Sequence, residues 1–197
     1  MSKQDTRLQI IDTAIDLFWK TSYHATNMND LSRVAGVNKA TVYQHFGSKE
    51  ELAIAAVERA ADRTIDYVFK GAFEADKDPL DRLRGIYRRI YESHLALYQQ
   101  ENLLRGCPMV NIGVELSTTN DQVREAVREA FKRFALYYKQ IIEDLRVDGT
   151  LRASGTTDEL AGDLQDNMNA CLVTSKLNQN ADVILKAGER AARYITT

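Results

Sequence analysis

The chain has 197 residues and a formal net charge of −2, from 26 lysines and arginines against 28 aspartates and glutamates. This length allows one or two domains with a real hydrophobic core. Because no apolar run reaches the roughly 18 residues of a membrane span and the N-terminus does not have the pattern of a signal peptide, we expect a soluble, cytoplasmic protein without membrane contact. The two cysteines, Cys107 and Cys171, exclude a disulfide framework.

Helical periodicity, few prolines and punctuating caps predict an all-α fold of about nine helices. The first helix runs from about Asp5 to Lys20, with an apolar stripe that includes Ile11 and Phe18. Its role is to support the short helices that follow. The first 55 residues carry six basic and six acidic side chains, so any DNA affinity depends on a few well-placed groups and not on a large basic field.

The stretch from Asn27 to Leu52 has the layout of a helix-turn-helix, whose second short helix enters the DNA major groove. Asn27 and Asn38 are in position to cap the two short helices. Gly36 supplies the left-handed residue between them. Ser48 caps the next helix, with Glu51 three residues later in a capping-box spacing.

The second short helix, from Asn38 to about Phe46, separates into two faces. Val42 and Phe46 are four residues apart and are expected to pack inward. Ala40 and Gln44 point the other way, where a small residue allows close approach and a carboxamide can bond adenine. The first turn holds Lys39, and the flanking side chains that could reach phosphates are Tyr43, His45 and Lys49. The alternative interpretation is a pair of ordinary core helices with a solvated face.

The remaining chain predicts six further helices, over about 49–73, 79–100, 108–117, 120–147, 157–177 and 181–195. We place a helix-turn-helix DNA-binding domain at residues 1–52 and an effector-binding and dimerisation domain at residues 53–197. Broad apolar stripes on the two helices within 120–177 suggest a dimer interface, although packing within one subunit is the alternative. The candidate interface residues are Phe131, Phe134, Tyr138, Leu164, Met168 and Leu172.

The helix over 79–100 carries polar groups at helical spacing beside an apolar stripe, a composition that ligand pockets use. The candidate effector residues are Tyr87, Tyr91, His94 and Tyr98 on this helix and Cys107 beyond it. Plain core is the alternative interpretation. Cys107 precedes Pro108 at a helix start, where amides of the first turn would lower the pKa of the thiol and raise its reactivity. A buried, inert cysteine is the alternative there.

Residues from about Arg7 to Leu52 resemble the DNA-binding domain of the tetracycline-repressor (TetR) family. The resemblance rests on Ile11, Ala14, Leu17 and Phe18, then Tyr23, Ala35-Gly36-Val37, Thr41-Val42-Tyr43-Gln44-His45-Phe46 and Lys49-Glu50-Glu51-Leu52. Ser22 departs from the glycine that usually precedes the tyrosine. The resemblance implies that Lys39, Ala40, Thr41 and Gln44 face the bases and that Met28, Tyr43, His45 and Lys49 contact the DNA backbone. It also implies a four-helix dimer and a small-molecule effector.

The run RGCPMVNIGVELS makes the C-terminal half similar to the TetR subgroup that contains the N-ethylmaleimide-reductase repressor. Lys176 of this chain also falls near the position of a lysine in that subgroup. The sequence therefore predicts a homodimeric transcriptional regulator, a repressor released from a palindromic operator by an effector. Two alternatives stay open: a redox or electrophile switch through Cys107, and a ligand-processing enzyme or carrier with a vestigial DNA-binding domain. Dispersed histidines and absent catalytic motifs predict no metal, no cofactor and no catalytic residues.

Overall fold

A computed structural model describes residues 2–197, which form nine helices and no strand. This confirms the predicted all-α fold. In chain order the helices are α1 (Lys3–Lys20), α2 (Met28–Val34), α3 (Lys39–His45), α4 (Lys49–Thr64, then a π-helical part Ile65–Lys70, then Gly71–Ala75), α5 (Pro79–Glu101), α6 (Pro108–Leu116), α7 (Asp121–Val147), α8 (Thr157–Asn178) and α9 (Asp182–Thr196). Among the described residues, no helix has the length and apolar character that crossing a bilayer requires.

The short helices start at the side-chain caps that the sequence predicts. Asn27 Oδ1 accepts the Asp30 amide at 2.8 Å, and Asn38 Oδ1 accepts the Thr41 amide at 2.7 Å. Each bond satisfies an amide that has no intrahelical partner. Gly36 has φ +63°, the left-handed conformation that ends α2 with little steric cost.

The start of α4 departs in one detail from the predicted capping box. Ser48 Oγ accepts the Glu51 amide at 3.1 Å, as expected for a cap. The Glu51 carboxylate, however, accepts the amide of Gly47 at 2.9 Å. The Gly47 amide thus takes the place that a capping box gives to the amide of Ser48, while the bond from Ser48 to the Glu51 amide is retained.

Packing divides the described chain into two compact units. Unit 1 comprises residues 2–62 together with 107–130, and unit 2 comprises residues 63–106 together with 131–197. Helices α4 and α7 each contribute to both units. The functional division after residue 52 is a different kind of boundary and stays a prediction.

Unit 1 has a core built mainly from α1, α4 and α6. The apolar face of α1 is buried, including Ile11 and Phe18, and α6 contributes Ile112 and Leu116. At the surface an ion pair joins α4 to α1, with Arg59 Nε 2.8 Å from Asp12 Oδ1. Helix α6 follows residue 107 in sequence, so unit 1 includes a segment far in sequence from the helix-turn-helix.

Unit 2 contains an aromatic cluster centred on Phe69, in the π-helical part of α4. The Phe69 ring lies 5.1 Å from the rings of Phe134 and Tyr137 and 5.6 Å from the ring of Tyr138, measured between centroids. Such offset and edge contacts add to the stabilisation from apolar burial. The sequence did not predict the π-helical turn, a feature that often marks functional positions.

Five of the six residues predicted for the dimer interface are buried within a single subunit. They are Phe134, Tyr138, Leu164, Met168 and Leu172, whereas Phe131 is half-buried. Their side chains fill unit 2 and are not available to a partner. The prediction confused the core-facing side of α7 and α8 with an outer side, since a broad apolar stripe is compatible with both.

Two buried tyrosines of unit 2 differ in how their hydroxyls are satisfied. The Tyr87 hydroxyl donates to Asn167 Oδ1 at 2.9 Å. The Tyr138 hydroxyl has no hydrogen-bond partner within residues 2–197. A buried hydroxyl without a partner costs free energy, whereas a typical formed bond contributes about 1 kcal/mol.

We therefore expect Tyr87→Phe to lower the free energy of unfolding by about 1 kcal/mol. Tyr138→Phe, the matched control, is expected to leave it unchanged or to raise it. Urea denaturation of both variants beside the parent chain measures the difference. A loss in Tyr138→Phe equal to that in Tyr87→Phe would contradict this account of the buried hydroxyls.

Candidate nucleic-acid interface

Helix α3 turns one face into unit 1 and the opposite face outward. Val42 is fully buried and Phe46, just after the helix, is 3% exposed. Ala40 and Gln44 are exposed, and so is Lys39 in the first turn. The structure thus has the orientation that the helical wheel predicts, with a small residue and a carboxamide on the outer surface.

The flanks of α3 combine an aromatic ring with cationic and hydroxyl groups. Tyr43 is 42% exposed, and its ring centroid lies 5.9 Å from Lys39 Nζ. Thr41 is half-buried, and its hydroxyl donates to the capping Asn38 Oδ1 at 2.9 Å. His45 is half-buried beside Phe46. Of the predicted contact residues on α3, Lys39, Ala40, Tyr43 and Gln44 are the most accessible to a ligand.

Two residues predicted to contact the DNA backbone make contacts within unit 1. Met28 is buried, so its side chain packs in unit 1. Lys49 Nζ donates to the Tyr23 carbonyl at 2.6 Å and lies 4.2 Å from the centroid of the Tyr23 ring. Burial lowers the pKa of Lys49, while the nearby carboxylates of Glu50 and Glu115 act in the opposite direction. Met28 therefore supports the helix-turn-helix from inside, and the half-buried Lys49 holds the turn at Tyr23, while the contact of these residues with DNA stays a prediction.

Comparison with known families assigns both halves of the chain. The family described as "Bacterial regulatory proteins, tetR family" matches residues 10–56. The family described as "Tetracyclin repressor-like, C-terminal domain" matches residues 79–192, more than half of the chain. The chain belongs to the TetR family. This confirms the resemblance drawn from the sequence motifs.

Curated relatives of this TetR-family chain are transcriptional regulators. The HTH-type transcriptional regulator LmrA of Bacillus subtilis (strain 168) is 27% identical over 173 residues, which cover 87% of this chain and 85% of LmrA. The HTH-type transcriptional repressor DhaR of Mycobacterium sp. (strain GP1) is 23% identical and covers 92% of this chain and 88% of DhaR. The protein is therefore a transcriptional regulator and not an enzyme.

Solved structures share the fold over nearly the whole chain. A TetR transcriptional regulator from Chloroflexus aurantiacus J-10-FL has a TM-score of 0.82 at 26% identity, covering 99% of this chain and 96% of the other. The reduced form of E. coli NemR has a TM-score of 0.81 at 20% identity and covers 98% of both chains. The second similarity, at this identity, concerns the fold alone.

The residues predicted on α5 to bind an effector differ in how far they are buried in this TetR-family structure. Tyr87 and His94 are buried in unit 2, whereas Tyr91 and Tyr98 are half-buried. The His94 ring nitrogens lie 2.8 Å from the Ile90 carbonyl oxygen and 3.2 Å from that of Gly106. Burial lowers the pKa of His94 although both carbonyls favour its protonated form. His94 is thus engaged within the fold.

Cys107 belongs to unit 1 and does not have the lowered thiol pKa that its position at the start of α6 predicts. It is 6% exposed, and burial raises its pKa to about 11. The amides of Met109 and Val110 act in the opposite direction, but burial outweighs them. Of the two interpretations left open by the sequence, the buried cysteine agrees with the structure, because desolvation disfavours the thiolate more than the helix end favours it.

Cys107 is therefore expected to be unreactive toward a thiol-directed electrophile at neutral pH in the folded chain. The second cysteine, Cys171, is also buried, and its pKa is raised to about 12. Intact-mass measurement after incubation with N-ethylmaleimide should show no adduct in the native protein and two adducts after unfolding in urea. Rapid labelling of native Cys107, absent in Cys107→Ser, would contradict this and revive the redox hypothesis.

The sequence missed two residues that position the helix-turn-helix. Gln9 Nε2 donates to the carbonyl of Ala35 at 3.0 Å and so satisfies the end of α2. Glu115 accepts the amides of Tyr23 and His24. These three hydrogen bonds join residues far apart in sequence, so no local spacing signals them. The one signal for Glu115 in the sequence was its position as a charged residue on a mainly apolar helix.

Proposed function

We propose that this TetR-family regulator is a homodimeric repressor that places α3 of each subunit in the major groove of a palindromic operator. The observation that carries the proposal is the outward face of α3, with Val42 and Phe46 buried behind the exposed Ala40 and Gln44. A short helix presented in this way has the shape that the groove admits. The match of residues 10–56 to the family of bacterial regulatory proteins supports a regulatory role for the segment that contains α3.

Each exposed group on α3 suits a particular contact with DNA. The Gln44 carboxamide has the donor and acceptor pair that matches the N6 and N7 atoms of adenine. Ala40 lets the helix approach closely, and Lys39 adds a positive charge in the first turn. The hydroxyl of Tyr43, on the flank, is suited to a phosphate, which positions the helix without reading sequence.

Gln44→Ala should abolish the preference for adenine at one operator position, a discrimination of about 1–3 kcal/mol. Tyr43→Phe, which removes only the flanking hydroxyl, should weaken all sequences about equally. Fluorescence anisotropy with DNA from upstream of the chain's own gene, and with single-base variants of it, measures both. The proposal for Gln44 fails if Gln44→Ala weakens every sequence to the same extent.

The exposed face of α8 supports a dimer interface different from the residues first predicted. Val173 and Leu177 lie one turn apart and are 42% and 76% exposed. Asp166 is exposed on the same side of α8, and Arg193 is exposed on α9, whereas the Asp163 carboxylate accepts the Tyr194 hydroxyl within the subunit. In a twofold arrangement the apolar pair of each α8 would pack against the partner, and Asp166 would attract a basic group of the partner's α9.

A charge placed in this face should separate the subunits. We expect Leu177→Glu combined with Val173→Glu to shift the protein from twice its 22.3 kDa mass toward a single copy. Val114→Glu is the matched control, since Val114 is also an apolar side chain with 76% exposure but lies on α6. Size-exclusion chromatography with light scattering measures the mass. A parent chain that is monomeric at micromolar concentration would refute the homodimer.

The polar groups inside unit 2 support an effector site there. Tyr138 Oη and Gln165 Oε1 are buried without a hydrogen-bond partner within residues 2–197. Buried polar atoms normally have partners, so a ligand group that bonds either atom would supply a missing hydrogen bond. Tyr87, predicted from the sequence, is a further polar group buried in unit 2, and its hydroxyl donates to Asn167 Oδ1.

An effector in unit 2 would act by changing α4, the helix that starts just after the helix-turn-helix. The π-helical part of α4 carries Phe69, which contacts the ring of Tyr138. A ligand that binds better to one arrangement of this segment would shift the population of α4 conformations. A differential affinity of about 1–3 kcal/mol is a typical coupling between two sites. The redox alternative through Cys107 is disfavoured by the burial of that thiol.

A further inference from the structure

The turn between α1 and α2 is held by a carboxylate from a distant part of the sequence. Glu115, on α6, accepts the Tyr23 amide at 3.1 Å through one oxygen and the His24 amide at 3.0 Å through the other. Two consecutive amides thus share one carboxylate. Hydrogen bonds to an ionised acceptor are roughly twice as strong as those between neutral groups.

Tyr23 is also held at its other polar groups by the start of α4. Lys49 Nζ donates to the Tyr23 carbonyl at 2.6 Å, and the Tyr23 hydroxyl donates to Glu50 Oε1 at 3.1 Å. The ring, which is buried, lies 5.3 Å from that of Phe18 on α1. Side chains from α1, α4 and α6 therefore fix Tyr23. Among them, Glu115 on α6 is the one that is far from the helix-turn-helix in sequence.

The fixed turn leads directly into the helix-turn-helix. Within it Thr21 and Thr26 hydroxyls are 3.2 Å apart, and Asn27, the next residue, caps α2. Helix α2 in turn packs beside α3. An ordered turn lowers the conformational entropy that is lost when α3 is held against DNA, and preorganisation of this kind increases affinity.

We propose that Glu115 is a positioning residue for operator binding, acting through the amides of Tyr23 and His24 without touching DNA. This inference rests on the proposed function, since it assumes that α3 reads an operator. It assigns α6 a role of its own: a change in α6 that withdraws Glu115 loosens the turn before α2 and weakens the complex with DNA.

The direction in which DNA affinity changes when Glu115 is replaced distinguishes this proposal from a general effect of charge. Removing a negative side chain reduces repulsion from a polyanion, so loss of charge alone would leave binding equal or slightly tighter. The exposed Glu58, on α4 in the same unit, is the matched control for the charge. Loss of the Glu115 carboxylate should instead weaken DNA binding, because the amides of Tyr23 and His24 lose their acceptor.

The test uses the full chain with Glu115→Gln, Glu115→Ala, Glu58→Gln and Glu58→Ala. Anisotropy with the upstream DNA should show about tenfold weaker binding for Glu115→Ala, the loss expected from one charge-assisted hydrogen-bond pair, and a smaller loss for Glu115→Gln, which keeps one accepting oxygen. Hydrogen exchange of the peptide over residues 21–27 should accelerate in both. The Glu58 variants should change neither readout.

Accelerated exchange with unchanged operator affinity would overturn the proposal, because the bond would then be only a local support. Unchanged exchange in both Glu115 variants would overturn it as well. If Glu115→Ala does not fold, Glu115→Gln, which preserves the side-chain shape, decides the question. Failure of the parent chain to bind any upstream DNA would instead refute the proposed function, so the two failures are distinguishable.

Discussion

The burial of Val42 and Phe46 is the constraint on which the DNA-binding surface depends. Because a helix of two turns has few residues on each face, fixing these two inward leaves Ala40 and Gln44 outward. The nearby features act on the same element: Asn38 caps its start, and the left-handed Gly36 sets the turn before it. The chemistry offered to a ligand follows from packing behind α3.

Tyr23 shows how the same surface is connected to distant sequence. Its amide, carbonyl and hydroxyl are bound by Glu115, Lys49 and Glu50 respectively. A lysine that the family pattern suggests for phosphate contact thereby donates a hydrogen bond within the protein. The first 55 residues have as many acidic as basic side chains, so the exposed groups of α3 are the ones on which the proposed DNA binding relies.

Local rules predicted most of the fold, whereas non-local packing accounts for the errors. Caps at Asn27, Asn38 and Ser48 depend on a side chain and an amide three residues away, so spacing alone identifies them. The bonds of Glu115 span more than ninety residues in sequence, and no periodicity reveals them. For the apolar stripe of α8 that includes Met168, the sequence pattern does not distinguish residues of the subunit core from residues of a dimer interface. For Cys107 the sequence identified the position at a helix start, but it did not reveal the burial that raises the pKa of the thiol.

Methylation of the operator by dimethyl sulfate tests the central claim most directly, because the reagent reports guanine N7 in the major groove and adenine N3 in the minor groove. If the outer face of α3 from two subunits lies in the major groove, bound protein should protect guanine N7 in two half-sites whose centres are separated by about one helical turn or a multiple of it. Protection limited to adenine N3, or confined to a single patch, would contradict the account.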